Sequence, residues 1–212
     1  MADINETFDS VTGEQSFFIP GKKKEKKNDY KPFAKGDYFG HIIECTSKKV
    51  DVKGGKHRAR LYTYVFEASV ENKEVTFQYE NINGEMEDTK GDCYVGSKFR
   101  GKVWRFLEPT DNDSFESYPE GNQGYMRFCE SIGIECPVEK RVVDGNEIEV
   151  QLLPNLNEAD MLGKPGIAFV DLGRPWTDKE GKRRQYWDAK FIKKWAEGQV
   201  KTIAGDSNAI PF

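Results

Sequence analysis

The run from His57 to Ala68 constrains this chain more than any other stretch. It alternates strictly: Arg58, Arg60, Tyr62, Tyr64 and Phe66 fall on one parity, Ala59, Leu61, Thr63 and Val65 on the other. A period of two is the signature of a β-strand, whose successive side chains point to opposite faces. Val52-Lys53-Gly54-Gly55-Lys56 precedes it as a glycine turn, and Tyr38–Thr46, rich in β-formers, reads as a strand before that. After a turn at Ser69–Lys73, Glu74–Glu80 alternates as a third strand. Three strands joined by short turns form a meander.

The middle of the chain changes character. Ser97 is placed to cap a short helix carrying Phe99, Val103, Phe106 and Leu107 at helical spacing, with Gly101 as its weak point. Residues 109–124 are dominated by Pro, Asp, Asn, Ser and Gly and read as loop, and Met126–Ile132 as a second short helix ended by Gly133. Ile167–Leu172 is a fourth strand, Gly173–Arg183 a polar loop and Arg184–Ile192 a fifth strand. Three strands, a helical insertion and two more strands is the order of an OB-fold. The expected class is therefore mainly β, a five-stranded Greek-key barrel with a helical and loop insertion between strands three and four. The expected division is a flexible arm over 1–34, the barrel over 35–195 and a flexible tail over 196–212.

Composition sets the outer bounds. Of 212 residues, 37% are hydrophobic and 32% charged, which suits a globular core with a well-solvated surface. No apolar run is long enough to span a bilayer, and the N-terminus lacks the basic and apolar regions of a signal peptide. Cys45, Cys93, Cys129 and Cys136 show no disulfide-framework spacing, which suits a reducing cytoplasm. The net charge of −4 does not exclude nucleic acid, because potential decays within about 8–10 Å at physiological salt and local clusters decide binding.

Such clusters are present. On the 57–68 strand the parity Arg58, Arg60, Tyr62, Tyr64 and Phe66 puts two guanidiniums and three rings in a row, with the smaller parity expected inside. Rings and cations on one exposed face suit an unpaired strand, whose bases stack on rings while its phosphates meet positive charge. A covering layer would also explain the rings, though not the arginines. The loop Arg174–Tyr186 adds Trp176, Lys182, Arg183, Arg184 and Tyr186, where an OB-fold has one wall of its groove; a solvated hairpin tip is the plainer alternative. A third cluster, Lys98, Arg100, Lys102, Trp104 and Arg105, falls in the insertion. Lys22–Lys27 is either a solvated run or a basic arm.

The end of the chain reads Asp206-Ser207-Asn208-Ala209-Ile210-Pro211-Phe212. Its Ile-Pro-Phe tip resembles that of bacterial single-stranded-DNA-binding proteins, in which a disordered acidic tail is captured by replication and repair partners. This sequence departs from that pattern in keeping only Asp206 of the acidic run. Lys35-Gly36-Asp37-Tyr38, Ile132-Gly133-Ile134, Gly163-Lys164 and Trp187-Asp188-Ala189-Lys190-Phe191-Ile192, taken in order, resemble single-stranded-DNA-binding proteins of tailed phages. The resemblance spans most of 35–195. It implies a coating protein for exposed DNA in replication, recombination or repair, with single-stranded DNA as partner and Asp206, Ile210, Pro211 and Phe212 as a tip for protein partners.

No Walker loop is present, and with two histidines there is little material for a zinc site or a nucleophile–histidine pair. Cys129 and Cys136 lack a second pair, and Asp111/Asp113 and Glu85/Glu87/Asp88 fall in loops where solvated turn acids are the default. No enzyme, cofactor or metal is expected. A metal-dependent nuclease and an adaptor acting through the tip are the alternatives.

Overall fold

The computed structural model describes residues 33–81, 83–143 and 145–203, with the backbone of Thr7–Phe8 and Gln15–Ser16. Those two short strands pair antiparallel within a unit comprising Met1–Lys31; a second compact unit runs from Pro32 to Phe212. The lysine run and the Ile210-Pro211-Phe212 tip lie outside the described residues.

The second unit is mainly β and contains a closed five-stranded barrel. Its strands are β1 (Gly36–Val52), β2 (His57–Ala68), β3 (Lys98–Phe106), β4 (Pro165–Leu172) and β5 (Trp187–Lys193). Around the barrel they run β1-β2-β3-β5-β4 and back to β1. Neighbours are antiparallel except β3 and β5, which are parallel and share a single register pair, Arg100 with Asp188. Helix α1 (Gln123–Ser131) lies between β3 and β4, as in an OB-fold. Gly133, at φ 76°, supplies the left-handed turn that follows the helix.

The third barrel strand is not the one expected. Thr76–Glu80 is a strand, but it pairs with Met86–Lys90 in a separate hairpin whose Phe77 stacks on Tyr38 at 4.4 Å. Its place in the barrel is taken by Lys98–Phe106, expected as a helix. There Phe99, Gly101 and Val103 point in, while Lys98, Arg100, Lys102 and Trp104 point out, a period of two carried through nine residues paired with β2. Phe99 and Val103 fit both periods; Phe106 fits only the helix and Gly101 only the strand. A Cβ at Gly101 would overlap the Tyr64 ring, so the glycine makes room for that ring. The expected fifth strand also starts late: Arg183–Arg184 pairs with Trp176–Thr177, and the barrel strand begins at Trp187. A further hairpin, Val138–Val143 with Asn146–Gln151, fills the stretch after α1.

The barrel interior holds the large residues of β2. Tyr62, Tyr64 and Phe66 are 0–1% exposed, packed with Tyr38, Phe99, Phe191 and, from α1, Tyr125 and Phe128. The hydroxyl of Tyr62 donates to the Leu156 carbonyl at 2.7 Å and that of Tyr64 to the Ala189 carbonyl at 2.9 Å. Tyr38 and Tyr125 do the same with Ala34 and Pro154. Each buried ring thus keeps its polar end satisfied. Residues 196–203, expected as loose tail, lie against the barrel: Lys201 N–H donates to the Gly163 carbonyl and its ammonium meets Glu67 at 2.9 Å.

Candidate nucleic-acid interface

The outer face of β3 carries Lys98, Arg100, Lys102 and Trp104 in line. Same-face residues of a strand are about 6.6 Å apart, so the four span about 20 Å. Directly beside them on β2 stand Glu67, Val65, Thr63 and Leu61. Glu67 is the one acid in that neighbouring row, and Lys201 already pairs with it. Among the described residues, Lys98, Arg100 and Lys102 make no ion pair or side-chain hydrogen bond. Some other cations of the unit are spent internally, as in Lys35–Asp171 at 2.9 Å and Arg58–Asp51 at 2.8 Å. A chain with net charge −4 thus leaves a positive stripe on this face.

Below Trp104 the barrel wall opens. Because β3 and β5 pair only at Arg100 and Asp188, they part beyond that point and leave a cleft of about 450 Å³. Phe128 of α1 and Phe191 of β5 lie at its floor, Trp104 and Phe106 form a side, and Lys53, Lys102 and Lys190 line its rim. Trp104 is 37% exposed, so its ring is available from solvent. Lys53 belongs to the β1–β2 turn and sits 3.9 Å over the Tyr118 ring. An apolar cleft edged by an indole and three ammonium groups matches an unpaired base held between phosphates.

The β4–β5 hairpin rises at the other end of the row, because Trp187 begins β5 one residue before Asp188, the partner of Arg100. Asp178 organises it. Its carboxylate accepts from Nε of Arg184 at 2.8 Å and from the backbone N–H of Lys182 and Glu180. Arg184 first, then the Lys182 amide, hold that carboxyl below its ordinary range. Lys182 pairs with Glu180 at 3.3 Å. Arg184 and Lys182 therefore brace the hairpin, while Arg183 makes no ion pair among the described residues. Trp176 and Tyr186 remain 47% and 51% exposed, their ring centroids 6.1 Å apart.

The expected row on β2 is corrected by these observations. Arg58, Arg60, Tyr62, Tyr64 and Phe66 do share one face, but it is the inner one. Tyr62, Tyr64 and Phe66 are sealed in the barrel and offer no surface for stacking. The smaller parity faces outward; Ala59 and Leu61 are nonetheless buried there, paired with Phe106 and Trp104. Arg58 is bound to Asp51 and lies over the Phe115 ring, and Arg60 lines a basin past the barrel's closed part. Of the expected residues, Lys102 and Trp104 share the outer row, and Trp176, Lys182, Arg183, Arg184 and Tyr186 the hairpin. Lys53 and Lys190, at the cleft rim, were not anticipated; a lysine in a turn or at an outward strand position carries no local signal of its own.

Two of the acidic candidates are engaged locally, Asp113 in a turn and Glu87 across a hairpin, since Glu87 and Asp88, expected in a loop, lie on the strand Met86–Lys90. Asp113 accepts from the amide and hydroxyl of Thr110, and Glu87 from Tyr79 and Asn81. Among the described residues no group of three or more His, Cys, Asp or Glu is placed to hold a metal ion. Cys129 and Cys136 are buried free thiols, and burial pushes the Cys129 thiol up to about 12. No helix among the described residues is long and apolar enough to cross a membrane. No protein-family model matches the chain, and neither a curated protein nor a solved structure shows a significant similarity to it.

Proposed function

We propose that this protein binds single-stranded DNA without strong sequence preference and coats it during replication, recombination or repair, acting by binding rather than by turnover. The observation that carries this reading is the unpaired row Lys98, Arg100 and Lys102 running to Trp104 and its lysine-edged cleft. The cations follow a phosphate backbone, and the indole and cleft receive bases that a duplex would keep stacked within itself. Trp176 and Tyr186 extend the stacking surface at the hairpin end. The resemblance to phage single-stranded-DNA-binding proteins points the same way and supplies the setting, a bacterial cytoplasm. In that setting Asp206 and Ile210-Pro211-Phe212 recruit partner proteins while the barrel holds the strand.

Trp104→Ala tests the reading, because it removes an exposed ring and little core. Loss of one base-stacking contact, about 1–3 kcal/mol, weakens oligo-dT binding by about 5- to 150-fold. Unchanged affinity in a fluorescence-anisotropy titration would take Trp104 out of the interface and the reading with it.

A further inference from the structure

The three long strands do not stop where the barrel closes. β4 pairs with β1 only as far as His41, yet β1 continues to Val52, paired with β2, and β2 with β3 to Phe106. The inner face of this extension floors a basin of about 710 Å³, walled by the segments around Phe115 and Asn122 and around Val150 to Leu153. The inward residues can be followed row by row. Ser47, Tyr62 and Val103 form one row, still against the core. The outermost row contains the ion pair Asp51–Arg58. Between them stand Lys49, Arg60 and Arg105, directly paired across three adjacent strands.

Three cations side by side are unusual in a sheet. Directly opposed residues have Cβ atoms about 4.5–5.5 Å apart, and like charges there destabilise the pairing. Among the described residues no carboxylate forms an ion pair with this row, although Asp113 and Glu158 lie close enough to act on it. Among the described residues, Lys49 and Arg60 make no ion pair or side-chain hydrogen bond. Arg105 donates one bond, from Nη1 to Asn155 at 3.1 Å, while its Nε is buried without a partner. The acids that act on the row are occupied: Asp113 by Thr110 and Arg58, Glu158 by the Ser47 hydroxyl at 2.5 Å. Glu108, also in the basin, accepts from Ser117. Arg141 adds a fifth basic side chain against two acidic ones lining the space. A buried N–H without an acceptor and two unpaired cations beside it are what a bound oxyanion satisfies.

We infer that this basin is a second ligand site, taking a phosphate-bearing nucleotide with its phosphate on Lys49, Arg60 and Arg105. The basin is within the size range of small-molecule sites and has Phe106 and Phe115 as apolar surface, so it holds more than a bare phosphate. The ligand is either a free nucleotide or the phosphorylated end of a strand. The site shares no cation with the outer row of β3.

Calorimetric titration of the full chain with dTMP and with thymidine tests the site. Saturable heat with dTMP and none with thymidine is expected, with inorganic phosphate competing. Arg60→Gln weakens dTMP by about 10- to 150-fold, the loss of a charge-assisted hydrogen bond. It holds or raises Tm, since one of three crowded charges is gone. The combined variant Lys98→Gln, Arg100→Gln, Lys102→Gln leaves dTMP binding unchanged, so a failure of the outer-row reading would not be mistaken for a failure of this one. A 5′-phosphorylated dT oligomer binding better than its 5′-hydroxyl twin, with the advantage lost in Arg60→Gln, identifies the strand end as source; equal binding identifies the free nucleotide. Thymidine binding as well as dTMP, or dTMP binding untouched by Arg60→Gln and Lys49→Gln, overturns the inference. So does a lowered Tm in Arg60→Gln with dTMP affinity retained.

Discussion

Neutralising the outer row of β3 has a consequence that can be worked out beforehand. Lys98, Arg100 and Lys102 point to solvent without internal partners, so their replacement by glutamine removes charge and leaves the inward residues Phe99, Gly101 and Val103 untouched. For single strands, each neutralised phosphate contributes about 0.7 to the slope of log K against log salt. If each cation meets one phosphate, the triple variant loses about 2 from that slope. Extrapolated from 1 M, where counterion release contributes nothing, this is about a 100-fold loss of affinity at 0.1 M salt. Anisotropy titrations with labelled oligo-dT at several salt concentrations measure both quantities together. The slope carries the discrimination. A lower affinity with an unchanged slope would mean that the three side chains act other than on phosphates, and an unchanged affinity would move the strand to another face. Thermal unfolding should be nearly unaffected, because these residues are exposed and unpaired.

Two further predictions address the frame beneath the site. Gly101→Ala forces a methyl group into the Tyr64 ring, whose hydroxyl is fixed on Ala189. The expected cost is about 1–3 kcal/mol, a fall in Tm of roughly 3–10 °C in a thermal melt, and an unchanged Tm would mean that the ring does not lie against β3. Cys129 is fully buried with its thiol pushed up to about 12, whereas Cys93 is exposed. A maleimide reagent at neutral pH should modify Cys93 in the native protein and Cys129 only after denaturation, and mass spectrometry of timed samples would expose early Cys129 labelling if that packing were wrong.

The β2 strand was legible to its ends, and the face assignment along it was not. Alternation identifies two faces but does not say which is inside. Tyr62 and Tyr64 look suited to solvent because each carries a hydroxyl; they are interior because the carbonyls of Leu156 and Ala189, distant in the chain, meet those hydroxyls. Ala59, Leu61, Thr63 and Val65 look suited to a core, yet the barrel needs the bulk of three rings to fill it. One clue was available in Gly101, a poor helix residue amid alternating charged and apolar neighbours. Reading Lys98–Phe106 as a strand would have turned the Lys98-to-Trp104 cluster from an insertion into an outward row. Arg58 and Arg60 follow from the same reversal: sharing a parity with buried rings, they end in the basin rather than the groove. The hairpin cluster was legible as residues, but not the division of labour that Asp178 imposes on Arg184 and Lys182.

The central claim is that an outward row of cations ending in an indole and an apolar cleft selects bases without complements. Titration of the protein with oligo-dT and with duplex DNA of equal length, at low and at physiological salt, tests it most directly. The account predicts tighter binding of the single strand at both salts, with quenching of tryptophan fluorescence on saturation. Equal or tighter binding of the duplex, or no binding of oligo-dT at low salt, would contradict it.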